Sequence, residues 1–521
     1  MRIRGFVCEC FYKFIVALFI VMMSVILIID LFFVHKLKCV KDFLLPNICL
    51  LFLGFVLVLG ATFLYIKFIK HYVSKLTKKQ CNCLLLIYSV SMFIMQIFVI
   101  QKAFFLTGWD AGLLRDTAGQ VVQGLKFQSG NSCNWYFNLY PNNVFLLFIF
   151  TVILKLSAII GVAPNLLLAV FGALSVNISI FLLIKIIGTI TNNKHMCVLG
   201  GAISTVFIMF SPWIIIPYSD TYAMVFTTGV IYIYLKKNNM NQYLSAFLIT
   251  AMSIIGYKIK PTVIIILIAI IILELLRVLF INKVDLKSII KFCITIMAAV
   301  ILCGTVVKMS NTYLEYEKNT DQEFPMTHFM MMGMNPVTRG IYLQDDVDYT
   351  ASYKGLDNKK NANIKMIKER LKNYKVTGYC KLLMDKSLIN YDDGTFAWAE
   401  EGTFYLQLNE NNGRVATFLK NIYYTDGKYY EIYKTFMQMI WLTILFFTIF
   451  SLKNIIDYRQ LAIPLTIIGI TIFLFLFEAR ARYLFLYAPF YILLSVAGFY
   501  NIMCIRKIKE GTFDLLRRES K

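Results

Sequence analysis

Charge is scarce in this chain, and negative charge scarcer still. Only 16% of residues are Asp, Glu, Lys or Arg, with 30 acidic residues against 52 basic ones. Soluble domains carry about a quarter charged residues, and a hydrophobic fraction of 59% leaves more apolar surface than a soluble fold of this length can hide. Signature motifs are missing as well. There is no Walker A loop, no GxGxxG, no GxSxG and no HExxH, so nucleotide-binding, serine-hydrolase and zincin chemistries have no support. The 12 cysteines are scattered; the CxC pairs Cys8/Cys10 and Cys81/Cys83 lack further Cys or His at zinc-site spacing and read as small apolar side chains.

What is present is a series of apolar runs, at 14–33, 48–68, 84–106, 143–160, 165–187, 196–216, 222–235, 243–257, 261–281, 288–307, 436–452, 461–477 and 481–505. Most match the roughly 20 helical residues that cross a bilayer, whereas a β-barrel would show short alternating segments. The expected fold is therefore an all-α polytopic membrane bundle of 12 to 13 helices in a lipid bilayer. Run 14–33 follows basic residues and lacks a small-residue cleavage site, so it reads as an uncleaved anchor. The net charge of +22 sits largely in short loops, where it orients spans and meets lipid headgroups; nucleic acid is not an expected partner.

The positive-inside rule assigns sides. Lys67, Lys70, Lys75, Lys78 and Lys79 put loop 67–82 in the cytoplasm, and Arg506, Lys507, Lys509, Arg517 and Arg518 put the tail there too. Loop 107–142 then emerges outside, and an odd number of crossings must separate it from the tail. Thirteen crossing runs violate that parity. Run 143–160, followed by the uncharged linker 161–165, is the best candidate to lie in the interface or re-enter. Both termini are then cytoplasmic in a cell membrane, while Lys36, Lys38 and Lys41 face out against the rule. The organisation expected is an N-terminal hairpin and loop (1–83), a core (84–307) with outer loop 107–142, an extracytoplasmic segment (308–435), C-terminal spans (436–505) and a tail (506–521).

Chemistry is expected on the outer face. Asp110 follows span 84–106 in Gly108-Trp109-Asp110-Ala111-Gly112 and opens an amphipathic helix over 111–126. Asp220 stands in the short turn Tyr218-Ser219-Asp220. Each could serve as a general base or hold a divalent cation (Mg or Mn), the one cofactor for which the sequence offers ligands; each could equally cap a helix. Lys258, Lys260, Arg480 and Arg482 are basic on the side where topology does not call for them, which suits an anionic lipid phosphate, although single basic residues at span ends also snorkel. Arg115-Asp116 lie beside the first acidic turn, and His328 sits in the Met-rich stretch Thr327-His328-Phe329-Met330-Met331-Met332-Gly333, either lipid-facing or ordinary core.

The order of these features resembles the GT-C glycosyltransferase superfamily, which includes protein O-mannosyltransferases and bacterial aminoarabinose transferases (glycosyltransferase family 39 and relatives). The likeness covers 84–270 and 478–500. Its carriers are the acidic outer loop at Asp110, Phe210-Ser211-Pro212-Trp213 followed by Tyr218-Ser219-Asp220-Thr221, Gly256-Tyr257-Lys258-Ile259-Lys260-Pro261, and Glu478-Ala479-Arg480-Ala481-Arg482-Tyr483. The stretch from His328 to Asn335 with Gly340 and Asp345, and Asp393-Gly394-Thr395-Phe396 with Glu401-Gly402, are similar to a group of Firmicute membrane proteins of this type. The chain departs from better-known members in having Tyr140-Pro141-Asn142-Asn143 where many carry a basic residue or His before Pro-Pro, and in two extra spans before the acidic loop.

The resemblance implies inverting transfer of a sugar from a polyprenyl-phosphate donor to a cell-envelope acceptor (wall polymer, lipid or protein). Asp110 would be the base, Lys258 or Lys260 and Arg480 or Arg482 would hold the leaving phosphate, and Asp220 would position the acceptor or a cation. Trp109, Arg115, Asp116 and His328 are grouped with the substrate-binding set. A lipid-linked sugar transporter and a non-catalytic envelope-assembly subunit are the competing readings; the former expects ionisable residues deep in the spans and an internal repeat, and no repeat is evident.

Overall fold

The computed structural model describes residues 2–33, 42–124, 134–280, 285–408, 410–454 and 457–504. Among them regular structure is helical, and the one extended pairing is an antiparallel bridge between Leu106 and Gln407. The helices that matter below are α1 (Arg2–Phe32), α2 (Asn47–Lys75), α3 (Lys78–Ala103), α4 (Asp110–Val122), α5 (Val144–Ile160), α6 (Pro164–Thr191), α7 (Lys194–Met209), α8 (Ser219–Lys236), α9 (Gln242–Ile259), α10 (Pro261–Phe280), α11 (Leu286–Leu314), α12 (Met326–Gly333), α13 (Leu356–Tyr391), α14 (Arg414–Tyr423), α15 (Tyr430–Ile449), α16 (Ala462–Leu476) and α17 (Ala488–Met503). Lys36, Lys38, Lys41, Leu125, Lys126, Lys283 and the basic tail 506–521 lie outside the described residues.

Local sequence sets the helix ends. Thr77 and Gln80 form a reciprocal capping box at the start of α3, and the Asn193, Asn241 and Asp285 side chains cap α7, α9 and α11. Pro164 and Pro261 occupy first turns, where no N–H is missed. Gly161 ends α5 in the left-handed region, with φ 70°.

Nine helical segments among the described residues are long and apolar enough to cross a membrane: α1, α2, α3, α5, α6, α10, α11 and those containing α15 and α16. Contacts show which helices run from end to end. Tyr12 near the start of α1 stacks on Tyr458 just before α16, and Phe11 meets Phe280 at the end of α10. At the opposite end, Asp30 of α1 meets Asn47 at the start of α2. Alternation continues: Tyr65 and Ser74 of α2 reach His195 and Lys194 of α7 at the first end, and Gln96 of α3 reaches the Met209 carbonyl near the second.

Helix α5 breaks this alternation. Phe148 and Lys155 both lie against Tyr313 at the end of α11, Phe150 packs on Tyr222 near the start of α8, and Tyr222 in turn bonds the Leu168 carbonyl in the first turns of α6. Both ends of α5 therefore stay at the second end of the bundle, and the helix lies across it. Among the described residues, leaving out α5 and adding the shorter α7, α8, α9 and α17, twelve helices run from one end of the bundle to the other, so α1 starts and α17 finishes at the same end.

Buried polar pairs hold the helices together where apolar contact alone would not select a partner. Asn177 of α6 bonds Ser89 of α3, and Thr228 of α8 bonds Ser179 of α6. Apolar side chains on α2 and α11, among them Leu59, Phe63, Ile294 and Ile301, point outward, as lipid contact permits. The polar segment covering the second end begins after Leu314 and ends before Tyr430, shorter at both ends than 308–435, because α11 and α15 continue as helices into polar sequence.

Candidate functional site

Four segments of chain converge on the second end of the bundle. First, the chain leaving α3 runs beside 403–407: Leu106 N–H donates to the Gln407 carbonyl at 2.9 Å and Gly108 N–H to the Thr403 carbonyl at 2.8 Å. Phe105 is caged by Trp398, Phe404, Tyr405 and Tyr424, which fixes Trp109 and Asp110 beside Glu401. Second, Trp213 anchors the turn before α8 by donating from Nε1 to the Thr395 carbonyl at 3.0 Å, presenting Tyr218 and Asp220. Third, Pro261 ends α9 and leaves Lys260 buried at its tip.

The fourth element is the turn after α16. Lys386 of α13 donates from Nζ to the carbonyls of Gly333, Phe475 and Phe477, and Ala479 N–H donates to the Gly340 carbonyl. A Cβ on Gly333 would lie 2.4 Å from the Phe477 oxygen, so only glycine permits this approach. The Met-rich stretch thus holds the turn that carries Glu478, Arg480 and Arg482.

At the centre stands Arg482, 4% exposed. Its guanidinium lies 4.4 Å from the Trp109 ring centroid and 4.8 Å from that of Tyr218. Its Nε is 3.1 Å from Glu401 and its Nη1 3.7 Å from Asp220. Lys260 makes a close ion pair with Asp220 and lies 4.5 Å from the Tyr483 centroid. Arg480 is shared loosely between Glu401 (3.9 Å) and Glu478 (3.7 Å), and the Tyr483 hydroxyl donates to Glu478 at 2.9 Å. Asp110 accepts from the Tyr218 hydroxyl at 3.2 Å. Neither acidic turn residue caps its helix through its side chain, so both carboxylates are turned to the cluster.

Burial pushes the Asp110 carboxyl above the usual carboxylate range, and Glu401 adds to this, while Arg482, Tyr218 and Tyr136 pull it back. Glu401 is buried too, but Arg482, Arg480 and Lys260 outweigh burial and hold it below its ordinary value. Glu478 is raised by burial. Carboxylates of unequal basicity thus share one cluster, the arrangement that separates proton-accepting from charge-pairing roles.

Other candidates from the sequence stand apart. Lys258 lines a pocket of about 250 Å³ with Asn142, Tyr257, Asn311, Lys318 and Glu323. Arg115 pairs with its neighbour Asp116 at 2.7 Å and reaches the Thr107 carbonyl, bracing the start of α4. His328 is fully buried against Phe324 and bonded to Thr350; burial lowers its pKa to about 4, so it is a neutral core residue of the covering segment. Among the described residues no group of three or more His, Cys, Asp and Glu is placed to hold a metal ion, and the Asp220 carboxylate is engaged by Lys260 and Arg482.

Glu401, Tyr218 and Tyr483 complete the centre without having been singled out as site residues. Glu401 lies far from the other members in sequence and is brought in by local backbone: Asp393 accepts from the Thr395 and Ala397 amides, and Phe396, Ala397 and Ala399 adopt left-handed φ values of 56°, 56° and 68°. Such backbone in non-glycine residues is costly and collects at functional sites.

A family model described as "conserved hypothetical integral membrane protein" matches residues 6–501. No curated protein and no solved structure matches the chain.

Proposed function

We propose that this chain, which belongs to that family of conserved hypothetical integral membrane proteins, is a glycosyltransferase that moves a sugar from a polyprenyl-phosphate donor to a cell-envelope acceptor. The observation that carries the reading is the meeting of a basic carboxylate, Asp110, with Arg482, Arg480 and Lys260 at one end of a membrane bundle. The acceptor hydroxyl oxygen attacks the anomeric carbon, its proton passes to the Asp110 carboxylate, and the bond from the anomeric carbon to the phosphate oxygen breaks. The configuration inverts. The polyprenyl phosphate leaves with its added negative charge, which the guanidinium groups stabilise. Arg480 is suited to this because its ion pairs of 3.7 and 3.9 Å leave donors to offer.

Asp220 and Glu401 have a supporting part. They neutralise Lys260 and Arg482 while no phosphate is bound, since unpaired buried cations would be prohibitive. The elevated pKa of Asp110 makes it a stronger base than a surface carboxylate. Loop charges favour a cytoplasmic location for the end where α1 starts and α17 finishes, which puts the cluster outside the cell membrane, where lipid-linked sugars meet envelope acceptors.

The test is deletion of the gene in its host, with sugar analysis of purified wall polymers and of accumulated lipid-linked sugars. Complementation uses wild type and Asp110→Ala. Loss of one decoration that wild type alone restores supports a transferase and identifies its substrate. An unchanged decoration, or full rescue by Asp110→Ala, ends the catalytic reading in favour of transport or assembly.

A further inference from the structure

A second set of carboxylates lies away from this cluster, where α1, α2, α13 and α15 meet. Asp30, inside the apolar stretch of α1, is 1% exposed, and neither of its carboxylate oxygens has a hydrogen-bond partner. Its acidic neighbour is Asp392, 5% exposed, at the end of α13. Asn47 ties the two together, donating from one Nδ2 to the Asp30 main-chain carbonyl (2.6 Å) and to Asp392 Oδ1 (2.7 Å). Gln438 of α15 donates to the same Oδ1 at 2.6 Å. Among the described residues no Lys or Arg forms an ion pair with either carboxylate.

Two ionised carboxylates in such a place would repel each other in a medium that already disfavours charge. Something must supply positive charge or a donor. The neighbours indicate which. Gln438 Oε1 accepts from Gly394 N–H at 2.8 Å, which turns its NH2 group to Asp392. Asn47 also presents its NH2 group, and its Oδ1 accepts from Gln438 at 3.4 Å. The surrounding amides therefore offer N–H groups to a carboxylate and no oxygen to a metal ion. Asp392 holds its negative charge against these donors, whereas Asp30, given none, is the natural bearer of a hydrogen.

We propose that Asp30 and Asp392 form a proton-binding site, the two buried carboxyl groups together holding one proton. Binding converts one carboxylate to a carboxylic acid and leaves the pair with a single negative charge, which Asn47 and Gln438 solvate. The other titratable groups at hand are Asp393, engaged in capping 395–397, and Tyr391, bonded to Thr471 and Tyr491; Lys434, one turn before Gln438, is paired with Glu431 at 2.8 Å. Burial holds the Asp392 carboxyl well above its ordinary range, with Asp393 adding to the effect and Asn47 and Gln438 opposing it. The unfolded chain gives up this proton at lower pH than the folded one, so the site's contribution to stability falls as pH rises. The proposal is independent of the transferase reading.

The test uses the full chain in lipid vesicles, by infrared spectroscopy near neutral pH and by unfolding midpoints taken into the alkaline range. Wild type is expected to show a protonated-carboxyl C=O band that shifts in D2O and is lost in Asp30→Asn. Its midpoint falls with rising pH, while Asp30→Asn, which has no proton to lose at this position, gives a flat profile. Should Asp30→Asn not fold, a shift of the band in Asp392→Asn, where the neighbour of the protonated carboxyl has changed, is the equivalent result. A band unchanged in both variants overturns the proposal. So does a wild-type protein without the band whose midpoint is raised by Na+ or K+, since the site then binds a metal cation.

Discussion

Arg482 lies over the Trp109 ring, guanidinium carbon to ring centroid 4.4 Å, although the two are separated by almost the whole bundle in sequence. The contact joins the turn after α3 to the turn after α16, and the Tyr218 ring, packed edge to face on Trp109 at 4.7 Å, lies 4.8 Å from the same guanidinium. A planar cation seated over two aromatic rings that meet edge to face is held in position on one side, while its Nε and Nη1 face Glu401 and Asp220 on the other. A flexible ammonium could pair with the same carboxylates but would not be held flat.

Arg482→Lys keeps the charge and removes the plane. Transfer activity in isolated membranes is expected to fall by roughly 10²-fold, in the range seen when one donor to a developing anion is lost, while the unfolding midpoint moves little. Retention of full activity would reduce Arg482 to a structural ion-pair partner.

Asp110→Asn is expected to abolish the proton-accepting step, lowering turnover by about 10² to 10⁴-fold, with the protein still folded because the amide oxygen can accept from Tyr218. In wild type the rate should rise with pH up to the Asp110 pKa, and that rise should lie above the normal carboxylate range, since burial raises this group. A pH-rate profile that shows no such limb, or one that survives in Asp110→Asn, assigns the base elsewhere.

The spans were legible because a bilayer demands long apolar runs, and charge parity singled out 143–160, the helix whose contacts stay at one end of the bundle. Asp110, Asp220, Lys260, Arg480 and Arg482 were legible because each stands at the edge of a span in a polar turn. Glu401 was not, since nothing in 392–404 shows that three left-handed residues fold it back onto the turn after α3. Lys258 and Lys260 show the same limit. Two residues apart at the end of one helix, they point to different places, and only Lys260 meets Asp220.

His328 carries a pH dependence with a definite sign. It is neutral in the folded protein, with a pKa near 4 set by burial, and its buried Nε2 has no acceptor for a second proton. The unfolded chain binds that proton at about its ordinary value of 6.5. Its contribution to stability is complete above that value and is lost as pH falls to about 4, by roughly 3 kcal/mol. Unfolding curves of His328→Gln in detergent should be less acid-sensitive than wild type by about this amount. Parallel curves would mean that the ring is protonated in the folded state.

Gly333→Ala tests whether the Met-rich stretch acts through the turn it supports. The new methyl would sit 2.4 Å from the Phe477 oxygen and 2.8 Å from that of Leu476, closer than packing allows, and both are main-chain atoms that cannot swing aside. Overpacking of this kind costs about 1 to 3 kcal/mol, so a lower unfolding midpoint is expected. The consequence for function follows from Lys386, which bonds the Gly333 and Phe477 carbonyls together. Displacing Phe477 displaces Glu478, Arg480 and Arg482. Loss of transfer activity should therefore exceed the loss of folded protein when both are measured on the same membranes. If activity per folded molecule is unchanged, the stretch is packing for the covering segment alone and does not position the charged turn.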